Sequence, residues 1–531
     1  MLKRAILASA AGLVATGLAP SAGPSEPRVA LAPASMGRLA VVDARYQSYN
    51  VEMVEVTGGR FWKPYAHVSA AAREETTATA PPRSGTPAGV NPDLFEYRPP
   101  IDLANPRLRK LAAALGPAYV RVSGTWANMT YFPESVDAPE APPSGFSGVL
   151  TRPQWKGVVE FARAVDADIV TSMATSPGTR NAAGLWTPVQ ARRWLDYTKS
   201  VGGRIAAAEF MNEPNLAAVG GAPAGYDAAA YGRDFKAFRA FVKEAAPDLL
   251  ILGPGSVGET ASGGLGSGSA WMLRTRDLLA AAGPGVGGFS YHHYGTVSQR
   301  CAGVGVPTTS PEQALSEDWL SRTDATLAFY KSLRDELEPD KPMWLTETAD
   351  AACGGNPWAP SFLDTFRYLD QLGRLARQGV RVVAHNTLAA SDYGLLEERD
   401  LTPRPKYWGA LLWRRLMGTT VLDAGVPLRP GLHAYAHCLQ ERPGGVALLL
   451  LNTDRAAART VTLRTAAERY TLSSTDGLSR RVDLNGTELK LGADGTLPRL
   501  VGTPISAGPL TLPPATITFL AVPGAGNSSC R

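Results

Sequence analysis

The 531-residue sequence contains few cysteines, and their spacing argues against the common small metal-binding motifs. The four cysteines are Cys301, Cys353, Cys438 and Cys530, and none belongs to a CxxC pair or to a Cys/His cluster with zinc-ligand spacing. The formal net charge of +5 is small for this length, so it does not indicate nucleic-acid binding. We therefore expect no metal, no cofactor and no nucleic-acid partner.

Long apolar runs are also absent beyond the N-terminus. There, Lys3 and Arg4 precede an Ala-rich apolar run over residues 5–18, and a Pro/Ser/Gly stretch follows. A membrane span needs about 20 apolar residues, so this shorter run is typical of an export signal. We predict that residues 1–34 form a signal peptide and leader and that the mature protein is secreted or periplasmic, without a stable membrane partner. A plain N-terminal anchor is the alternative.

Export would place the cysteines in an oxidising compartment, where an even number suggests disulfides. Pairing Cys301 with Cys353 and Cys438 with Cys530 would keep each bridge inside one domain. Four reduced thiols are the expectation if the protein is not exported.

Apolar, β-branched runs alternate with amphipathic helical patterns over most of the chain. Eight such runs lie near residues 49–54, 118–122, 168–173, 207–211, 249–252, 289–292, 343–345 and 380–383. Eight strands alternating with helices are typical of an α/β protein with a (β/α)8 TIM barrel. We predict this barrel over residues 48–415.

Beyond the barrel the pattern changes to short strands separated by turn residues. The strand candidates are residues 432–437, 446–451, 460–463, 470–472, 481–484 and 516–522. Turn pairs such as Asp476-Gly477 and Asn485-Gly486 punctuate them. This pattern predicts a C-terminal antiparallel β-sandwich over residues 416–531, and residues 35–47 are expected to contribute an N-terminal strand to it.

Two glutamates stand where predicted barrel strands end, Glu213 after the fourth and Glu347 after the seventh. Active sites of such barrels lie at the C-terminal ends of the strands. A single glutamate there is usually a capping or surface carboxylate. A pair facing one cleft suits glycoside hydrolysis, which needs one protonated and one ionised carboxyl group.

Several motifs occur in the order found in one family of glycosidases. They are Ala118–Thr125 (AYVRVSGT), the Asn212-Glu213-Pro214 tripeptide, Tyr291-His-His-Tyr294, and Trp344-Leu-Thr-Glu-Thr348 followed by Gly354-Gly355. From about Tyr49 to the C-terminus the sequence resembles glycoside hydrolase family 79, the heparanase and β-glucuronidase family.

The resemblance implies hydrolysis of β-glucuronides with retention of configuration. Glu213 matches the acid/base and Glu347 the nucleophile of the family. Asn212 matches a residue near the sugar 2-hydroxyl, and Tyr294 a tyrosine that orients the nucleophile. Further implied contacts are the backbone amides of Gly354 and Gly355 and the hydroxyl of Tyr393 for the uronate carboxylate, with Thr125 and Glu52 for sugar hydroxyls.

The implied partner is a glycan containing glucuronic acid, or a glucuronide, and we expect a monomer. Three alternatives stay open: endo-cleavage of heparan sulfate or heparin chains, a retaining glycosidase for a neutral sugar, and a non-catalytic carbohydrate-binding protein. Glu259 lies where the heparan-cleaving mammalian member has neutral and basic residues, and a negative charge there would oppose a sulfate group.

Overall fold

The computed structural model describes residues 29–67, 90–261, 272–304 and 308–531. Its centre is a closed barrel of eight parallel strands that follow one another around the ring in chain order: Gln47–Glu52, Ala118–Ser123, Ala167–Ser172, Ile205–Glu209, Leu250–Val257, Gly288–Val297, Met343–Ala352 and Val382–His385. The eighth strand pairs with the first, with Val383 opposite Gln47. The predicted TIM barrel is confirmed.

Helices surround the barrel, and the helices Phe362–Arg377 and Pro405–Leu416 are buried on nearly all sides. The surrounding helices span Met53–Thr57, Pro106–Ala113, Arg152–Ala164, Val189–Ser200, Ala228–Ala245, Thr275–Ala282, Glu317–Leu320, Arg322–Leu337, Phe362–Arg377 and Pro405–Leu416. The helix Arg152–Ala164 is an example of how local sequence specifies such a helix. Thr151 and Gln154 form a capping box at its start, and Trp155 and Phe161 are fully buried.

The lower part of the barrel interior is a small apolar core. Val170, Ala207, Leu252, Trp344 and Val382 form one buried cluster. Leu252, Trp344 and Val382 lie in the first part of their strands. This end of the barrel is therefore filled, as in other barrels of this type. Polar side chains near the opposite ends of the strands are left for a site.

The C-terminal region is a β-sandwich. One sheet has nine strands: Arg38–Val41, Met417–Leu422, His433–Leu439, Val446–Asn452, Ala467–Ser473, Asp483–Leu484, Thr487–Glu488, Thr503–Ile505 and Thr516–Val522. The other sheet has three: Val29–Leu31, Arg459–Leu463 and Gly508–Leu512. Leu448 and Leu450 from the large sheet share a buried core with Val461 and Leu510 from the small one. The Cys438–Cys530 disulfide lies in this domain.

The first described strand falls inside the segment predicted as signal peptide and leader, residues 1–34. Val29–Leu31 runs parallel to Arg459–Leu463, with Val29 opposite Val461, and Leu31 is fully buried. A leader ending at residue 34 would include this strand, and the boundary at residue 34 stays a prediction. Three residues are too short to show strand alternation in a sequence. Residues 1–28, with the predicted export signal, lie outside the described residues.

The helix Phe362–Arg377 connects the two domains. Its Asp370 accepts hydrogen bonds from Tyr435 Oη and faces His433 Nδ1, each at 2.5 Å. Gly373 lets the Tyr435 ring approach, since a Cβ there would lie 2.4 Å from the ring. Among the described residues, no helix combines the length and apolar character that a membrane crossing requires.

Candidate active site

The two glutamates predicted from strand position lie together at the C-terminal end of the barrel. Glu347 belongs to the seventh strand, and Glu213 follows the fourth. Glu213 has a left-handed backbone with φ of 49°, which is uncommon for a residue with a side chain and redirects the chain into the 3-10 helix Pro214–Leu216. A carboxylate oxygen of Glu213 and one of Glu347 lie within 4.8 Å of each other.

Arg121, from the second strand, is fully buried next to Glu347. Its Nη1 donates to Glu347 Oε2 and its Nη2 to Asn212 Oδ1, each at 2.8 Å. Its Nε and Nη2 also donate to Glu209 Oε2, at 3.2 and 2.8 Å. Although burial opposes the charge, these carboxylates raise the pKa of Arg121, so it stays a cation. One guanidinium thus fixes the nucleophile candidate relative to Asn212.

The second oxygen of Glu347 is held from the opposite side. Tyr294 Oη donates to Glu347 Oε1 at 2.7 Å. Asn386 Nδ2 donates in turn to Tyr294 Oη at 3.1 Å. Both carboxylate oxygens therefore have a fixed donor, which holds the group in one orientation.

Glu213 has a different environment. Burial, and after it the charge of Glu347, raises the pKa of Glu213, while His292 and Arg121 oppose the shift. His292 Nδ1 lies 3.0 Å from Glu213 Oε1. A raised pKa keeps a proton on Glu213 to higher pH, which a general acid requires.

The strand exit that carries Asn212 is braced from the loop after the second strand. Asn128 Oδ1 accepts from the Asn212 amide, and Asn128 Nδ2 donates to the Asn212 carbonyl, both at 3.0 Å. The paired contacts fix the backbone immediately before Glu213.

A glycine turn follows the seventh strand at the rim of the barrel. Gly354 and Gly355 have φ of 81° and 87°, and a Cβ on Gly354 would lie 2.7 Å from the Cβ of Trp62. Ser391 Oγ donates to the Gly354 carbonyl at 3.0 Å and Ser298 Oγ to the Gly355 carbonyl at 2.7 Å. The amides of both glycines have no acceptor among the residues that the structure describes.

The glycine turn is anchored covalently and by a buried ion pair next to it. Cys353, immediately before Gly354, forms a disulfide with Cys301 from the segment after the sixth strand. Arg300 is fully buried and its Nη2 donates to Asp392 Oδ2 at 2.7 Å.

Tyr393 is linked to the nucleophile candidate through a shared neighbour. Asn386 Nδ2 donates to Tyr393 Oη at 3.2 Å, and the same amide donates to Tyr294. Burial first, then Glu52 and Glu347, raise the pKa of Tyr393, so its hydroxyl stays protonated. Tyr393 also adjoins the glycine turn, since a Cβ on Gly355 would lie 3.1 Å from the Tyr393 backbone nitrogen.

Glu52 and Thr125 lie at the ends of the first and second strands. The Glu52 carboxyl is buried, and its Oε2 has no hydrogen-bond partner in the described part of the chain. A Cβ on Gly124 would lie 1.6 Å from that oxygen, so glycine is required there. Burial and the charge of Glu347 raise the pKa of Glu52. Thr125 directly follows Gly124 and is half-buried.

Four side chains that the sequence analysis did not select complete the site: Arg121, Glu209, His292 and Asn386. A buried arginine in an otherwise apolar strand was the available signal for Arg121. Glu259, expected to oppose a sulfate, instead points inward. Its Oε1 accepts from the Thr275 amide at 3.1 Å, its Oε2 faces Thr275 Oγ1, and the residue is buried.

The same cluster contains a set of possible metal donors. Donor atoms of Glu213, His292 and Glu347 lie within 4.8 Å of one another. The guanidinium of Arg121 already provides positive charge 2.8 Å from Glu347 and 3.2 Å from His292, so a cation there would be repelled. The donor set therefore fits carboxylate chemistry better than metal binding.

A (β/α)8 barrel with two carboxyl groups close together at the C-terminal end of the barrel has the architecture of a glycoside hydrolase. Residues 100–373 match the N-terminal domain of glycosyl hydrolase family 79. The protein belongs to that family and is a heparanase-like glycoside hydrolase.

Comparison with known proteins gives the same family along most of the chain. Heparanase-like protein 1 of Arabidopsis thaliana is 28% identical over 484 residues, which are 81% of this chain and 86% of the relative. Heparanase of Mus musculus is 28% identical over 489 residues, 81% of this chain and 88% of the relative.

Solved structures share the fold at low identity. A 4-O-α-L-rhamnosyl-β-D-glucuronidase from Fusarium oxysporum superposes with a TM-score of 0.61 at 14% identity, over 93% of this chain and 99% of the other. An α-L-arabinofuranosidase from Thermotoga maritima does so with a TM-score of 0.59 at 14% identity, also over 93% and 99%. At these identities the likeness concerns the barrel and sandwich alone.

Proposed function

We propose that this protein is a retaining β-glucuronidase, with Glu213 as acid/base and Glu347 as nucleophile. The observation that carries the proposal is the separation of at most 4.8 Å between their nearest oxygens. Retaining glycosidases hold the two carboxyl groups about 5–5.5 Å apart, whereas inverting enzymes need about 6.5–9.5 Å to admit a water molecule.

In the first step Glu347 attacks the anomeric carbon while Glu213 protonates the leaving oxygen, which gives a covalent glycosyl-enzyme. In the second step Glu213, now ionised, removes a proton from water, and the water oxygen displaces Glu347. Arg121 and Tyr294 stabilise the charge that returns to Glu347 as the ester bond breaks. Asn212 lies beside Arg121, in a place suited to binding the sugar 2-hydroxyl.

The specificity for a uronate is assigned to the glycine turn. A carboxylate at the sugar C5 would accept hydrogen bonds from the amides of Gly354 and Gly355 and from the hydroxyl of Tyr393. Amide donors suit an anion and offer nothing comparable to a neutral hydroxymethyl group. Thr125 and Glu52, whose Oε2 has no partner among the described residues, are proposed to bind sugar hydroxyls.

The substrate class is a glycan containing β-linked glucuronic acid, or a smaller glucuronide, encountered outside the cytoplasm. The two disulfides fit an oxidising compartment. Endo-cleavage of heparan sulfate is the second candidate, favoured by the relatives named heparanase. Glu259 does not argue against it, because its carboxylate is buried and hydrogen-bonded.

The test is release of 4-nitrophenol from its β-glucuronide and, in parallel, from its β-glucoside. We expect turnover of the glucuronide only, and its loss in Glu347→Gln. Glu336→Gln, which changes a half-exposed carboxylate on an outer helix, is the control and should keep full activity. Turnover of the glucoside alone would refute uronate specificity. A folded enzyme inactive on both but able to shorten heparan sulfate chains would establish the endo-acting alternative.

A further inference from the structure

We propose that His292 is a positioning residue that keeps the catalytic proton of Glu213 on Oε2, the oxygen that faces away from the imidazole. The proposal rests on the role of Glu213 as acid/base given above. It assigns a function to a buried histidine in the sixth strand whose two ring nitrogens face different charged groups.

The position of the imidazole hydrogen follows from the contact with Arg121. His292 Nε2 lies 3.2 Å from Arg121 Nη2. A guanidinium only donates, so a neutral imidazole must accept at Nε2 and carry its hydrogen on Nδ1. An imidazolium carries hydrogen on both nitrogens. In either state Nδ1 donates to Glu213 Oε1 across 3.0 Å.

This donor determines which oxygen of Glu213 acts as the acid. A proton on Oε1 would face the hydrogen on His292 Nδ1, so the protonated carboxyl group carries its proton on Oε2. In the first step that proton moves from Oε2 to the leaving oxygen as the glycosidic bond breaks, and the carboxylate formed keeps the hydrogen bond from His292. In the second step Oε2 takes a proton from the attacking water.

The imidazole is itself fixed by a buried chain of ions. Glu209 is fully buried, accepts from Arg121 through Nε and Nη2, and accepts from Thr346 Oγ1 at 2.7 Å. Gly255 lets this carboxylate fit, since a Cβ there would lie 2.9 Å from Glu209 Oε1. Glu209 therefore orients Arg121, and Arg121 orients His292.

The charged and titratable groups around Glu213 and His292 favour donation from His292 to Glu213 at neutral pH. Besides His292, Glu213 is faced by Glu347, Arg121 and the hydroxyls of Tyr294 and Tyr330. His292 is faced by the carboxylates Glu347, Glu209 and Glu213 and by Arg121. Against the effect of burial, these carboxylates raise the pKa of His292 to about 9.

The experiment compares His292→Leu with His292→Asn, whose amide nitrogen can occupy the place of Nδ1. Without the donor, ionised Glu213 is less stable, so in His292→Leu the alkaline limb of kcat/KM should move up by about one pH unit. Turnover of 4-nitrophenyl β-glucuronide should fall roughly 10- to 100-fold, because protonation of the leaving group is impaired. Turnover of the 2,4-dinitrophenyl glucuronide should fall much less, because its leaving group needs no proton. In His292→Asn, the shift of the alkaline limb and the loss of turnover should both be smaller than in His292→Leu.

His293→Leu is the matched control. His293 is the next residue and is also buried, and its Nδ1 lies 2.9 Å from Thr326 Oγ1 rather than facing a glutamate. It should leave the pH profile and the ratio of the two substrates unchanged.

The proposal is overturned if His292→Leu loses the same factor on both substrates with an unchanged alkaline limb. If that variant does not fold, the pH profile and substrate ratio of His292→Asn decide in the same way. A wild-type enzyme that hydrolyses only a β-glucoside would refute the uronate specificity instead, and the His292 variants would then be measured on the two corresponding glucosides.

Discussion

Tyr294 and Glu347 lie 53 residues apart on neighbouring strands, and the tyrosine hydroxyl donates to Glu347 Oε1 across 2.7 Å. Arg121 Nη1 donates to the other oxygen of the same carboxylate, Glu347 Oε2. Two donors from different strands therefore fix the orientation of the Glu347 carboxylate. Such charge-assisted contacts both orient a carboxylate and stabilise its ionised form.

Removal of one of these donors should impair catalysis more than folding. A hydrogen bond to a charged group contributes about 1.5–3 kcal/mol, so we expect Tyr294→Phe to lower kcat roughly 10- to 100-fold. Tyr291→Phe is the control, because Tyr291 lies in the same strand and its hydroxyl has no partner among the described residues. Equal kinetic losses in both variants would contradict an orienting role for Tyr294.

A methyl group at Gly354 should disturb uronate binding. The Gly354→Ala side chain would meet Trp62 at 2.7 Å and Ser391 Oγ at 2.9 Å in a backbone that already disfavours alanine. We expect a higher KM for 4-nitrophenyl β-glucuronide and a lower melting temperature. Gly379→Ala separates the two effects, since Gly379 has φ of 76° and open space around it. It should lower the melting temperature and leave KM unchanged, and a similar rise of KM in both variants would argue against the assigned site.

The two disulfides should differ in what their removal changes. Replacing Cys301 and Cys353 by serine frees the segment that leads into the glycine turn, so KM for the glucuronide should rise. Replacing Cys438 and Cys530 by serine should destabilise the sandwich by about 2–5 kcal/mol without changing KM. Steady-state kinetics and thermal unfolding of both double variants test this. An unchanged KM in the first pair would show that the turn holds its shape without the bridge.

Asp350 should make stability depend on pH. Burial, and then Asp364, raise its pKa to about 6, against Lys406 and Arg367 and a hydrogen bond from the Asn356 amide. A group whose folded pKa lies above the unfolded value stabilises the fold at low pH, and this contribution is lost as pH rises from about 4 to 6.

Asp350→Asn removes the charge, so its stability relative to wild type should improve between pH 4 and pH 7 by about 3 kcal/mol. Chemical unfolding at the two pH values measures the difference. Asp137→Asn, which changes an exposed carboxylate, should show almost none. A relative stability of Asp350→Asn that does not change with pH would contradict the raised pKa.

The barrel strands were visible in the sequence because buried parallel strands are continuous apolar runs. The sixth and seventh strands were underestimated. They extend to Val297 and Ala352, beyond the predicted ends at residues 292 and 345. The polar residues His293, Thr346 and Glu347 interrupt the apolar pattern there, and only pairing with neighbouring strands keeps these segments extended.

The barrel, the sandwich that follows it and the placement of Glu213 and Glu347 at strand ends were predictable from the sequence, because each depends on local periodicity and chain order. The side chains around the two glutamates depend instead on contacts between distant parts of the sequence. Arg121 reaches Glu209, 88 residues away, and Glu347, 226 residues away, while His292 faces Glu213 across 79 residues. Such contacts arise from the register of strands around a closed ring. They determine which donors each carboxyl group contacts, and no local pattern in the sequence predicts them.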